Sequence, residues 1–331
     1  MRRTAIELVL ILFVVVISAF FIASCIGSTA TNGNNQGRQS ADYPDTQFLP
    51  ISLATIPTDD FLPLWVAKEE GIFDQLGLQV RLTTFTSGQE MFAAVAANQV
   101  QGSSMGMMTV ANLTLAGTDT EVISRLGPVR IAIVAAPGSN ITAVQDLAGV
   151  PVAAAGATLE EFIIYRAMTD IGMNANNKLK LADIQDLYQR KEALLSGELQ
   201  AAVVPWTFVS ELEEQGAVVL VDVHQVEAYG STVLGIRSDW LKQDGANETV
   251  GALNEAWNQA AQMINANPER YRDLLIERAD LSDEDLADFE IQHYAMATLP
   301  VRNQVEGILT WGYEQGYLDR EIPYGEFIFY P

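Results

Sequence analysis

The sequence predicts an α/β protein of two lobes joined by two extended strands. Short apolar strands feed capped helices in two successive sets, Gly- and Pro-rich turns punctuate each unit, and a helical tail follows. With 331 residues, 49% of them hydrophobic and 18% charged, the chain is long enough for two cores.

Arg2 and Arg3 precede an apolar run from Leu8 to Ala23, and small residues then lead to the lone Cys25. That order is expected of an export signal over 1–24, and the run is shorter than the roughly 20 residues a spanning helix needs. Residues 25–45 are rich in Gly, Ser, Thr, Asn and Gln and read as a flexible tether. An apolar strand over 50–55 then turns at Pro57-Thr58-Asp59-Asp60 into a helix carrying Phe61, Leu64, Trp65 and Ala67. A second strand over 78–85 meets Ser87-Gly88-Gln89-Glu90, an S-x-x-E capping box, ahead of Met91, Phe92 and Val95. A short strand over 100–105 and a buried strand over 129–135 complete the first set, and the alternation implies parallel pairing.

The second set repeats this order. A strand over 150–154 leads through Gly156-Ala157-Thr158 into a T-x-x-E box and a helix bearing Phe162, Ile163 and Tyr165. A helix over 183–199, strands over 201–204 and 217–221, the turn Pro205-Trp206-Thr207 and a strand over 231–237 follow. The character then becomes helical: Val250, Leu253, Trp257, Ala260 and Ile264 form one apolar stripe, Asn267-Pro268 breaks it, and a last helix spans 301–317. The runs at 129–135 and 231–237 are expected to join the lobes, with 46–130 and 238–331 in the first and 131–237 in the second. A cleft between lobes is the expected ligand site, because helix N-termini converge there.

Charge and composition exclude several classes. Lys and Arg number 19 against 42 Asp and Glu, a net charge of -23, which repels nucleic acid and anionic membrane surfaces. One cysteine and two histidines, His224 and His293, are too few for a zinc cluster or a disulfide framework, so no metal and no cofactor are expected.

Four stretches carry a resemblance: PTDDFLPLWVAKEEGIF at 57–73, LTTFTSGQEMFAAVAANQV at 82–100, DLAGVPVAAAGATLEEFIIYRAMTDIGM at 146–173 and AWNQAAQMINANPERYRDLL at 256–275. Together they resemble the NMT1/THI5-like periplasmic-binding-protein family, whose members include solute-binding lipoproteins of ABC importers for thiamine precursors, riboflavin, alkylsulfonates and taurine. Ile22-Ala23-Ser24-Cys25 likewise resembles a lipobox, which implies lipidation at Cys25 and a membrane-anchored domain outside the cytoplasmic membrane. The resemblance implies a type II periplasmic-binding-protein fold, a monomer, no enzymatic activity, and a permease and ATPase as partners.

Carried over by position, the ligand-binding residues implied are Thr58, Asp59, Asp60, Phe61, Ser87, Gly88, Gln89, Met107, Thr109, Gly156, Ala157, Thr158, Trp206, Thr207 and Tyr229. Ser87 and Thr158 also suit helix caps, and Asp59 and Asp60 suit a first helical turn. Trp206 is expected to offer a stacking face. The six cleft segments (58–61, 87–90, 105–109, 156–158, 205–207 and 229–231) hold no Lys or Arg, so a neutral or cationic heterocycle, a thiamine pyrimidine precursor or riboflavin-like compound, is expected. Sulfonates held by helix amides are the alternative. Thiamine-precursor members resemble W-x-P-N-T-x-H after the first strand, whereas Thr55-Ile56-Pro57-Thr58-Asp59-Asp60-Phe61 keeps only the proline, which favours riboflavin or another ring. The rival class, a pyrimidine synthase on the same fold, carries a cysteine-rich run that is missing here. A ligand sensor is a third reading.

Overall fold

The computed structural model describes residues 48–223, 226, 230–279 and 290–331. The export segment, the tether, Cys25, His224 and Tyr229 lie outside the described residues. In the first set, β1 (Ile51–Thr55) passes through a 3-10 turn, Asp59–Phe61, into α1 (Leu62–Glu69) and α2 (Ile72–Gln75). Next, β2 (Val80–Thr84) feeds α3 (Gly88–Ala96), β3 (Gly102–Gly106) feeds α4 (Met107–Leu115), and β4 (Thr120–Pro128) closes the set. The second set comprises β5 (Ile131–Ala135), β6 (Pro151–Ala154), α5 (Leu159–Asp170), α6 (Ala175–Lys178), β7 (Lys180–Asp183), α7 (Leu187–Leu195), β8 (Ala201–Pro205), α8 (Val209–Glu214) and β9 (Val218–Asp222). The chain then enters β10 (Ser231–Arg237), α9 (Ser238–Leu241), α10 (Ala246–Ala266), α11 (Arg272–Ala279), α12 (Arg302–Glu314) and α13 (Tyr324–Phe327).

These strands build two five-stranded sheets, ordered β2-β1-β3-β10-β4 and β7-β6-β8-β5-β9. Each is mixed. β1 runs parallel to β2 and β3, but β10 is antiparallel to both β3 and β4. In the second sheet β6 is parallel to β7 and β8, while β5 is antiparallel to β8 and β9. The all-parallel expectation therefore fails at β5 and β10, the strands by which the chain enters a sheet from the other lobe. β10 wedges between β3 and β4 because glycines face there: a Cβ on Gly102 would collide with the carbonyl oxygen of Gly235.

The lobe division differs from expectation at this strand. Residues 231–237 belong to the first sheet, and 131–135 to the second, so neither strand itself bridges the lobes. The outward crossing is only Val129 and Arg130, between β4 and β5. The sequence reading also missed the strands β4 (Thr120–Pro128) and β7 (Lys180–Asp183), and the expected helix over 183–199 shortens to Leu187–Leu195 behind β7.

Both cores are built from the predicted apolar periodicities. Val250, Leu253, Trp257, Ala260 and Ile264 on α10 are all buried, and α10 packs on α1. Pro268 ends it. α12 packs against α4 and also reaches α5, so Trp311 meets Phe162 at 5.3 Å and Tyr165 at 6.1 Å between ring centroids. Among the described residues no helix is long and apolar enough to cross a membrane.

Candidate functional site

A cavity of about 340 Å³ opens between the sheets, with walls from both. The first lobe contributes Thr58, Asp60 and Phe61 from the turn after β1, Gly88 and Gln89 from the start of α3, and Thr109 and Asn112 from α4. Facing them, the second lobe contributes Ala155, Thr158, Leu159 and Glu160 at the start of α5, together with Gln185, Arg190 and Pro205. Val129, Arg130 and Ile131 form the part where the chain crosses.

The helix starts are fixed locally. Ser87 Oγ accepts from Glu90 N at 3.2 Å, while the Glu90 carboxylate turns back to Thr86 N at 3.0 Å. At α5, Thr158 Oγ1 accepts from Glu160 N at 3.1 Å and donates to Ala155 O at 2.6 Å. Glu161 Oε2 accepts from Ala157 N at 2.8 Å, which holds Ala157 in the left-handed region at φ +56°. That bend turns the Ala157 carbonyl toward the first lobe, where Asn112 Nδ2 donates to it at 2.8 Å. Leu159 seats against Gly106, where even a Cβ would lie 3.1 Å from the Leu159 Cβ.

Of the residues expected at the site, Thr58, Asp60, Phe61, Gly88, Gln89, Thr109 and Thr158 line the cavity. The others stand off it. Asp59 is buried behind Asp60, Ser87 caps α3, and Met107 and Thr207 are 1% exposed. Gly156 N donates to Asp183 Oδ1 at 3.0 Å, and Ala157 serves the bend. Trp206 is half-buried and stacks not on open cavity but under the Arg130 guanidinium, 5.0 Å from its ring centroid.

The absence of basic residues from the cleft is overturned, because Arg130 and Arg190 both line it. Neither sits in a strand-to-helix loop, which is why scanning the loops missed them. Arg130 lies in the crossing, and Arg190 reaches in from the middle of α7. Arg190 is held by Glu160 Oε2 at 2.7 Å, Ile184 O at 2.6 Å and Val203 O at 2.9 Å. Arg130 faces Asp59: its Nε is 3.7 Å from Asp59 Oδ2, an ion pair too long for a hydrogen bond, and has no hydrogen-bond partner among the described residues. Ser104 Oγ and Thr232 Oγ1, also buried and lining the cavity, are likewise unpartnered there.

Two adjacent carboxyls share that one guanidinium. Burial pushes Asp59 up from the usual carboxylate range, opposed by the Arg130 charge. Asp60 is pushed further, to about 8, first by burial and then by the Asp59 charge, with Arg130 again pulling down. Gln292 Nε2 donates to Asp59 Oδ2 at 3.3 Å, and the Tyr294 hydroxyl donates to Asp59 O at 2.7 Å. Burial beside Asp59 raises Tyr294 well above an ordinary phenol. Among the described residues no group of His, Cys, Asp and Glu could hold a metal ion.

Solved structures share this architecture. The periplasmic aliphatic sulphonate binding protein SsuA from Escherichia coli superposes with a TM-score of 0.71 at 18% identity, over 85% of this chain and 92% of that one. The alkanesulfonate-binding protein SsuA from Xanthomonas axonopodis pv. citri, bound to MOPS, gives 0.71 at 15% identity over 85% and 98%. The periplasmic nitrate-binding protein NrtA from Synechocystis PCC 6803 gives 0.68 at 17% over 82% and 83%. An enzyme shares the fold too: the desulfurization enzyme DSZB gives 0.62 at 14% identity over 84% and 96%. No curated protein matches the sequence significantly. At these identities the likeness establishes the periplasmic-binding-protein fold. The NMT1/THI5-like family profile matches residues 58–271, most of the chain, and the protein belongs to that family.

Proposed function

We propose that the protein is an extracytoplasmic solute-binding component of an ABC importer, capturing a small heterocyclic ligand between its lobes and delivering it to a permease. The observation that carries this reading is the cavity of about 340 Å³ lined from both lobes, with a crossing of only two residues on one side. A ligand touching both walls stabilises the closed arrangement, and the crossings absorb the rotation. Family membership supports an import role, and the lipobox-like Cys25 supports anchoring of a monomer at the membrane. Among the described residues no cysteine or histidine lines the cavity, which favours binding over turnover.

Charge balance supports an uncharged ring. Arg130 faces Asp59, Arg190 pairs with Glu160, and burial pushes Asp60 toward its neutral form, so the charges in the walls are largely compensated. Phe61, Met91, Phe92, Met105 and Leu159 supply an apolar bed for a planar body. A second reading, a sulfonate, is favoured by the unbonded Arg130 Nε and by the capped N-termini of α3 and α5 at the cavity wall.

A thermal-shift panel followed by calorimetry tests both. Riboflavin or an aminopyrimidine at a hundredfold excess over its Kd is expected to stabilise the protein by about 2.7 kcal/mol. Stabilisation by alkylsulfonates alone reassigns the ligand, and chemical conversion of any bound compound refutes a binding role.

A further inference from the structure

We propose that Asp60 is the specificity-determining residue of the cavity, reading the donor–acceptor edge of a planar ring through its side-chain carboxyl. The inference rests on the heterocycle reading and names the feature of the ring that is recognised. A protonated carboxyl presents a donor and an acceptor side by side. Its complement is a neighbouring acceptor and donor, as in the N=C–NH2 edge of an aminopyrimidine or the N–H and C=O of a cyclic lactam.

The geometry points to Asp60 in three ways. It lines the main cavity, and among the described residues no hydrogen bond occupies its carboxyl. The same cavity is lined by Ser104, Thr232 and Arg130, whose buried Oγ, Oγ1 and Nε have no hydrogen-bond partner among the described residues. Such atoms are costly to leave unpaired, so this wall is where a ligand's polar edge gains most. Finally, Asp59 already faces Arg130 and accepts from Gln292, so the half-buried Asp60 carboxyl beside it has no cation of its own.

Several ionisable groups face Asp60. Asp59 shares its turn, Arg130 comes from the crossing, and His293 and Tyr294 line a small adjoining cavity with it. Glu160 and Arg190 stand in the wall of the main cavity, paired with each other. The acid–base partner that decides recognition is therefore tested against both a neutral isostere and the nearby histidine.

Calorimetry on the full-length protein with riboflavin from about pH 6 to pH 9.5, and with 4-amino-2-methylpyrimidine only above about pH 7.5, where its ring nitrogen is unprotonated and free to accept, reads the effect. Wild-type affinity is expected to be level at the acid end and to fall tenfold per pH unit once Asp60 ionises. Asp60→Asn keeps a donor beside an acceptor, so it should bind within a few-fold of wild type with no fall at high pH. Asp60→Leu should lose at least tenfold, and His293→Gln should keep the wild-type profile. Rings that bind with a flat or rising profile, or equally well to Asp60→Leu, overturn the pairing and leave solute capture standing. Binding of methanesulfonate but neither ring overturns the heterocycle reading itself.

Discussion

At the scale of single residues, Arg190 is the clearest case of a group whose role lies in its surroundings. Its side chain is 1% exposed, and among the described residues its charge is balanced by Glu160 alone, itself partly open to the cavity. Arg190→Met would leave Glu160 without its cation and would free the Ile184 and Val203 carbonyls, costing about 3 kcal/mol, less than for a wholly buried pair because Glu160 keeps some solvent. Urea unfolding checks this, and Arg190→Met with Glu160→Gln should recover much of the loss. Asp60 adds a pH dependence of definite sign. Its carboxyl is raised in the folded state, so its contribution is full below the unfolded carboxylate range and is lost as pH rises toward about 8. Asp59, raised in the same direction, acts alike. The urea midpoint of Asp60→Asn should therefore gain on wild type between about pH 4 and pH 8, and a constant difference would contradict the raised carboxyl. Thr58, Asp60 and Phe61 were legible as cavity-lining residues because the turn after a parallel strand lies at the sheet edge that meets the other lobe. Arg130 and Arg190 were not, since they enter from a crossing and a helix interior, where only tertiary packing brings them to the cavity.

The elements themselves were legible wherever period and cap agreed. The stripe on α10, the stop at Pro268 and the starts of α3 and α5 follow from local rules, and the structure keeps them. Both boxes nevertheless depart in detail: the Glu90 and Glu161 carboxylates accept from the residue before the cap, Thr86 and Ala157, rather than from the cap itself. Because Ser87 Oγ satisfies a single end-group amide, Ser87→Ala should cost about 1 kcal/mol, read as a lower urea midpoint with an unchanged slope. Strand direction was less legible. Nothing in the alternation at 231–237 distinguishes insertion between β3 and β4 from addition to the second sheet. That choice is made by Gly102 and Gly235, which let two backbones approach.

Across the whole molecule, the lobes meet in two ways that a moving cleft must reconcile. The chain crosses twice, and side chains bridge directly: Asn112 holds the Ala157 carbonyl, and the Tyr317 hydroxyl donates to Glu161 Oε1 at 2.7 Å. Glu161 also fixes the bend at Ala157 through its other oxygen, so one carboxylate joins the C-terminal tail, the start of α5 and the α4 contact into a single network. A bridge made only in the closed arrangement biases the equilibrium toward closure and so adds to ligand affinity; one made equally in both arrangements adds to stability alone. Tyr317→Phe separates these cases while keeping the ring beside Trp311, whose centroid is 5.5 Å away. A hydrogen bond to a charged group contributes about 1.5–3 kcal/mol, and partial solvent access at Tyr317 brings this toward the lower figure. The expected outcome is an affinity loss of about tenfold together with a larger radius of gyration in the ligand-free protein, measured by calorimetry and solution scattering. If the thermal midpoint drops while affinity and radius stay unchanged, the bridge is part of a fixed interface, and any closure must then draw on other parts of the molecule, the crossing at 129–130 among them.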